Sequence, residues 1–228
     1  LTEERVPQAQ PTHQLGLFDA VTPRRFLHTA RGLTTLREAA RACNRCQVAT
    51  RACQTVFGQG PEDARVVFVG EQPGDEEDLT GTPFVGPAGR VLEDALAQVG
   101  INRRRVYVTL AVKHSNWEAR GRRRIHRAPQ AQDVAACRPW LEAELAAIKP
   151  QMLVCLGVTA ARALLGASFN MRVEHGRPSA SIWAPWTLCT WHPTEHWQSV
   201  ADGTSPHELA FMEDLRTVAA QLHRLEAA

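Results

Sequence analysis

Between Arg65 and Arg90 an apolar run stops at a glycine, a dense polar segment follows, and a helical pattern opens at a proline. Arg65 to Val69 reads as a buried strand from its β-branched content and apolar continuity. From Pro87 the apolar residues Val91, Leu92, Ala95, Leu96 and Val99 fall on one helical face, and Gly100 stands where a C-terminal cap is expected. The segment between is read as a polar loop carrying Glu71, Gln72, Pro73, Gly74 and the acids from Asp75 to Asp78. Strand, rigid polar loop and helix is the arrangement by which open α/β sheets bind ligands at the carboxyl ends of their strands.

The same alternation recurs downstream. Strands are expected at Val106–Leu110, Met152–Leu156 and Trp186–Thr190, with helices from Pro129, over Val158–Leu165, and from Pro206 through Leu222. A helix is also expected from Thr35, with Leu36, Ala39, Ala40 and Cys43 on one side. Strands alternating with helices predict a parallel sheet covered on both faces. Glu71, the Leu110 to His114 segment, Gly157 and His192 then all follow strand ends and share one edge of the sheet. Residues 1–32 contain three prolines and little periodicity, and are read as an irregular N-terminal arm or linker before a domain spanning 33–228.

Charge is balanced overall at +2, but unevenly placed. Five arginines crowd into Arg120 to Arg127 around His126, a local patch suited to phosphate. The longest apolar stretch, Met152 to Phe169, contains Arg162 and two glycines, which fits a strand plus a helix better than a membrane span. No secretory signal is visible at the start, so a cytoplasmic location without membrane attachment is expected.

Six cysteines without a secretory signal argue against a disulfide framework. Cys155 and Cys189 lie inside expected strands and read as small core residues, while Cys53 is ambiguous. Cys43-x-x-Cys46 is a metal or redox signature, with His114 and Cys137 as candidates to complete four ligands; zinc and iron–sulfur both remain open on this pattern.

Several separate motifs, in order, carry a resemblance. Gly70-Glu71-Gln72-Pro73-Gly74, Phe84-Val85-Gly86-Pro87-Ala88-Gly89, Tyr107-Val108-Thr109 with Val112-Lys113, and His192-Pro193 resemble family-four uracil-DNA glycosylases. Gln72, His114 and Arg122-Arg123-Arg124-Ile125-His126 resemble the UdgX-type branch, whose members attach covalently to uracil-containing DNA. The resemblance implies a three-layer α/β/α sandwich with a central parallel four-stranded sheet and a [4Fe–4S] cluster held by Cys43, Cys46, His114 and Cys137.

It also implies roles in base excision. His126 would attack C1′ of the sugar, Glu71 would orient it and offset its charge, Gln72 would shape the pocket, and His192 would hydrogen-bond the base. Gly70, Asp75, Asp78, Phe84 and Leu110 would surround the substrate, with Phe84 stacking on the base, and Arg122, Arg123 and Arg124 would hold the DNA backbone. The implied partner is DNA carrying uracil or another damaged base, single-stranded or flipped out, bound by a monomer.

Two positions depart from the pattern. Leu110 stands where relatives place an asparagine that reads the base, which puts uracil preference in question. After His192-Pro193 the chain continues Thr194-Glu195-His196-Trp197 instead of a serine-rich segment. Two other readings are a non-catalytic DNA- or lesion-binding module keeping fold and cluster, and an unrelated α/β iron–sulfur or metal-dependent hydrolase using the acidic segment.

Overall fold

The computed structural model describes residues 32–196 and 205–227. In chain order the regular elements are α1 (Leu33–Ala40), β1 (Val66–Gly70), α2 (Asp75–Thr80), α3 (Pro87–Gln98), β2 (Val106–Leu110), β3 (Trp117–Arg120), β4 (Arg123–His126), α4 (Ala131–Ile148), β5 (Met152–Leu156), α5 (Val158–Leu165), α6 (Met171–Glu174), β6 (Trp186–Thr190) and α7 (Pro206–Ala227). The expected arm over 1–32, apart from Gly32, and Trp197 lie outside the described residues.

Four parallel strands form the sheet in the order β2-β1-β5-β6. Period-two alternation divides its two faces. Val67, Val69, Tyr107, Leu153, Cys155 and Cys189 pack with Leu36 of α1, Leu141 of α4 and Leu164 of α5. Val66, Phe68, Val108, Val154 and Leu188 pack with Leu92 and Leu96 of α3 and Leu215 and Val218 of α7. The result is the three-layer α/β/α sandwich. Cys155 and Cys189 face each other across β5 and β6 as core residues. Among the described residues no helix is long and apolar enough to cross a membrane.

Two segments read as loops are regular. Asp75–Thr80 is a short helix with four acids in its first turn, where negative side chains meet the exposed amides of the helix start. The Arg-rich segment is an antiparallel hairpin of β3 and β4, turning at Gly121 with φ 61° and pairing Trp117 with His126. Helix boundaries also shift. The first helix begins at Leu33 and ends before Cys43, α4 begins at Ala131 behind a capping box of Gln130 and Asp133, and α7 continues to Ala227.

Candidate active site and metal centre

Gly70 closes β1, and a Cβ placed there would lie 2.6 Å from Phe84 Cζ and 3.1 Å from Leu110 Cδ2, so the aromatic ring rests against bare backbone with the leucine beside it. Phe84 holds φ 58°, a left-handed conformation that a bulky residue adopts only under tertiary constraint. That constraint is visible in the Glu77 carboxylate, which is buried and accepts the Gly86 amide at 2.7 Å, and in Gly89, whose missing side chain leaves room for the Phe84 carbonyl.

Pairing between β1 and β2 continues past the strands. Ala111 donates to Gly70 O at 2.8 Å and Val112 to Glu71 O at 2.9 Å, which fixes Glu71 and Gln72 over the edge of the sheet. Glu71 Oε2 accepts a hydrogen bond from Thr159 in the first turn of α5, and Oε1 lies 3.7 Å from His126 Nε2. Burial pushes the Glu71 carboxyl up, but hydrogen bonding with His126 and Thr159 and the charges of His192 and His126 outweigh it, leaving the group below the usual carboxylate range.

Gln72 Nε2 donates to Arg127 O at 2.9 Å, which fixes that atom as the amide nitrogen. It also lies 3.0 Å from His126 Nε2 and 3.3 Å from Nδ1, so the amide props the half-exposed ring from beneath. On the far side, Thr194 N–H donates to His192 Nδ1 at 3.3 Å; Nε2 then carries the ring proton and can donate it. Gly157 makes room for this histidine: a Cβ there, at φ +88°, would sit 3.0 Å from His192 Cβ.

The hairpin carrying His126 is docked by its neighbour two residues back, on the same face of β4. Arg124 pairs with Asp78 and, at 3.5 Å, with Asp75, while its guanidinium lies 4.2 Å from the Trp117 ring centroid. Asp78 is fully buried and also accepts the Cys53 amide at 2.9 Å. Asp75, Asp78 and Arg124, expected against substrate or DNA, are thus engaged with one another, while Arg122 and Arg123 are exposed near the hairpin tip. Thr159 and Trp117 were not anticipated as supports. The only signal for Thr159 is its place in the first turn after a strand end.

Below this edge, Cys46, His114 and Cys137 bring their ligand atoms within 4.8 Å of one another, all three buried. Thr55 Oγ1 donates to Ala40 O at 2.9 Å, so it accepts from His114 Nε2 at 3.0 Å. His114 Nδ1 therefore presents its lone pair, 3.5 Å from Cys46 Sγ. The Cys137 thiol, followed by His114, holds Cys46 down to about 4 against the effect of burial, while Cys137 is pushed up by Cys46 and burial. Lys113 N also donates to Cys137 Sγ at 3.4 Å. Two thiols and an imidazole with a fixed tautomer fit a thiophilic metal. Cys43 is not drawn into this group; its sulfur accepts Trp140 Nε1 at 3.2 Å.

The fold and its polar edge correspond to one class of protein. Residues 57–216 match the uracil DNA glycosylase superfamily, and the chain belongs to it. Among its relatives is the type-4 uracil-DNA glycosylase of Thermotoga maritima, 35% identical over 158 residues, covering 69% of this chain and 79% of the relative. The enzymes of the same name from Archaeoglobus fulgidus, at 40% identity, and Pyrobaculum aerophilum, at 35%, share 53% and 58% of this chain. The chain spans 57% and 64% of those two relatives.

Proposed function

We propose that the protein is a DNA repair glycosylase that excises uracil or a related deaminated base and keeps the abasic sugar bonded to His126, as in the UdgX-type branch. The observation that carries this reading is His126 beside Glu71 and Gln72, on the same edge as Phe84 and His192.

In this reaction the bond from C1′ to the base breaks and both electrons leave with the base. Phe84 stacks on the flipped base, and the Nε2 proton of His192 bonds the oxygen on which negative charge gathers. The lone pair of a His126 ring nitrogen forms the new bond to C1′, and Glu71 offsets the positive charge that the imidazole gains. The departed base anion takes its proton from water. Arg122 and Arg123 meet the backbone phosphates, whereas Arg124, with Asp75 and Asp78, positions the hairpin.

The metal group is proposed as a [4Fe–4S] cluster on Cys46, His114 and Cys137, with Cys43 turning from Trp140 to become the fourth ligand. When bound it supplies a structural tie between the segment after α1, the end of β2 and α4. Leu110 favours a second reading, a module that binds lesions without turnover, because an apolar wall leaves the polar edge of uracil without a partner.

A panel of oligonucleotides carrying uracil, hypoxanthine, xanthine or an abasic site, run on a denaturing gel, tests the proposal. A shifted covalent band is expected on at least one deaminated base and is lost in His126→Ala. A band that persists in that variant means another nucleophile. Tight binding with neither band nor base release supports the second reading.

A further inference from the structure

Beside the active edge lies a cleft of about 530 Å³ that the reaction described above does not use. Arg37 of α1 and Arg41, just past its end, line one wall, Gln54 and Thr55 the floor, and Thr80 and Thr82 the opposite wall; among the described residues none that lines it is acidic. Two guanidinium groups with hydroxyls and amides, and no carboxylate, make a site for an anion.

The cleft is built, since each wall is tied to another element. Gln54 Nε2 donates to Asp78 O at 3.1 Å and Leu79 O at 2.9 Å, joining the floor to the end of α2. Its Oε1 occupies the space a side chain would need at Gly81, which has φ +73°. Thr55 is tied to Ala40 O, and Arg37 spends one nitrogen on Gly58 O at 3.1 Å. Arg41 is exposed beside it.

The wall ends at Thr82 and Pro83, immediately before Phe84. Two residues span at most about 7 Å, one or two nucleotide steps from the stacking ring. We infer that this cleft holds a backbone phosphate of the DNA strand flanking the flipped base, with Arg37 and Arg41 as its cationic contacts. The inference rests on the glycosylase reading, because it is the base on Phe84 that brings a strand past this wall.

The test measures fluorescence anisotropy of a labelled single-stranded oligonucleotide as salt is varied, for the parent, Arg41→Gln and Arg37→Gln. Losing one phosphate contact should lower the slope of log affinity against log salt by about 0.7, and affinity at about 0.1 M salt about fivefold. Arg41→Lys should restore most of both. Replacing single phosphates beside the damaged base by neutral methylphosphonates should reveal one position that costs affinity in the parent and costs nothing further in Arg41→Gln. Thermal melts check that the variants fold; Arg41 makes none of the ties above, so its variant carries the test if Arg37→Gln unfolds.

Unchanged slopes in variants of a parent that still captures damaged DNA overturn the cleft assignment alone. Lowered slopes in variants of a parent that processes no base leave the phosphate site standing and remove the glycosylase reading. Protection by inorganic phosphate with no oligonucleotide binding overturns the strand as its occupant.

Discussion

Lys113 and Glu144 form an ion pair with both side chains fully buried, between the end of β2 and the middle of α4. Lys113 Nζ also donates to Thr109 Oγ1 at 2.6 Å and Leu110 O at 2.8 Å. Glu144 Oε1 accepts Gly58 N at 2.9 Å and Tyr107 OH at 2.8 Å, beside a phenol whose pKa burial and the carboxylate push well up. Lys113→Met strands a carboxylate that keeps neutral donors but loses its counter-charge, a loss of about 3–5 kcal/mol. For a domain of this length that lowers Tm by about 6–20 °C. Glu144→Leu goes further: the Gly58 amide and Tyr107 hydroxyl lose their acceptor at about 1–3 kcal/mol each, and the ammonium stays buried without a counter-charge. The double variant Lys113→Met/Glu144→Leu should be more stable than Glu144→Leu, since it removes the stranded charge. Because Lys113 precedes His114 and α4 also carries Cys137, metal content should fall with stability. Circular-dichroism melts and urea titrations of the three variants measure this. A Lys113→Met protein melting within about 2 °C of the parent would refute the account.

At Gly89 an added Cβ would fall 1.8 Å from the Phe84 carbonyl oxygen, a backbone atom that cannot swing aside, so Gly89→Ala should cost about 1–3 kcal/mol and displace the Phe84 ring. A variant with parental Tm and base capture would show that this fit is not needed. The lowered folded pKa of Glu71 makes its carboxylate a source of stability that is complete above about pH 4.3 and is lost as pH falls through the lower folded value. Acid-unfolding curves of the parent and Glu71→Gln should therefore converge in that acid window, and curves parallel throughout would contradict the shift. Cys137→Ala should abolish bound iron and sulfide, and Cys43→Ala should do so as well if Cys43 leaves Trp140 to ligate; full iron retention in Cys43→Ala would remove it from the ligand set. Arg124→Gln should loosen the hairpin and slow capture by His126 while leaving metal content unchanged, measured as rate of covalent band formation; an unchanged rate would make the contact with Asp78 incidental.

The sheet was legible because its strands are buried on both faces and read as uncharged runs of apolar and β-branched residues: Val106–Leu110, Met152–Leu156 and Trp186–Thr190 fall where the residues place them. The hairpin was not, since Trp117–Arg120 and Arg123–His126 bury little. It is set instead by Gly121 in the turn and by distant partners, Asp78 for Arg124 and Arg51 O for Trp117 Nε1. Four consecutive acids in Asp75–Asp78 suggest a solvated loop, yet two of them, Glu77 and Asp78, are buried because a backbone amide and an arginine await them. The pattern Cys43-x-x-Cys46 suggests that both sulfurs point to one centre, but spacing alone cannot show that Cys43 meets an indole N–H.

The order β2-β1-β5-β6 accounts for where the chemistry gathers. Crossovers leave β1 towards β2 and leave β5 towards β6, so their helices part between β1 and β5 and open a crevice at the carboxyl ends. Glu71 follows β1, Thr159 opens the helix after β5, and the hydrogen bond between them bridges that opening. Leu110 and His192 stand on its two flanks at the ends of β2 and β6. These groups all ride on the sheet and are fixed by its core. Phe84 comes from the segment before α3 and His126 from the hairpin, which Arg124 docks through Asp78 while Gln72, just past β1, props the ring. In the proposed reaction, sugar capture therefore needs the docking of the hairpin as well as the sheet edge, and base recognition needs only the latter. Loosening the hairpin should affect capture first, whereas damage at Gly70, Phe84 or Leu110 should affect base binding before any bond is broken.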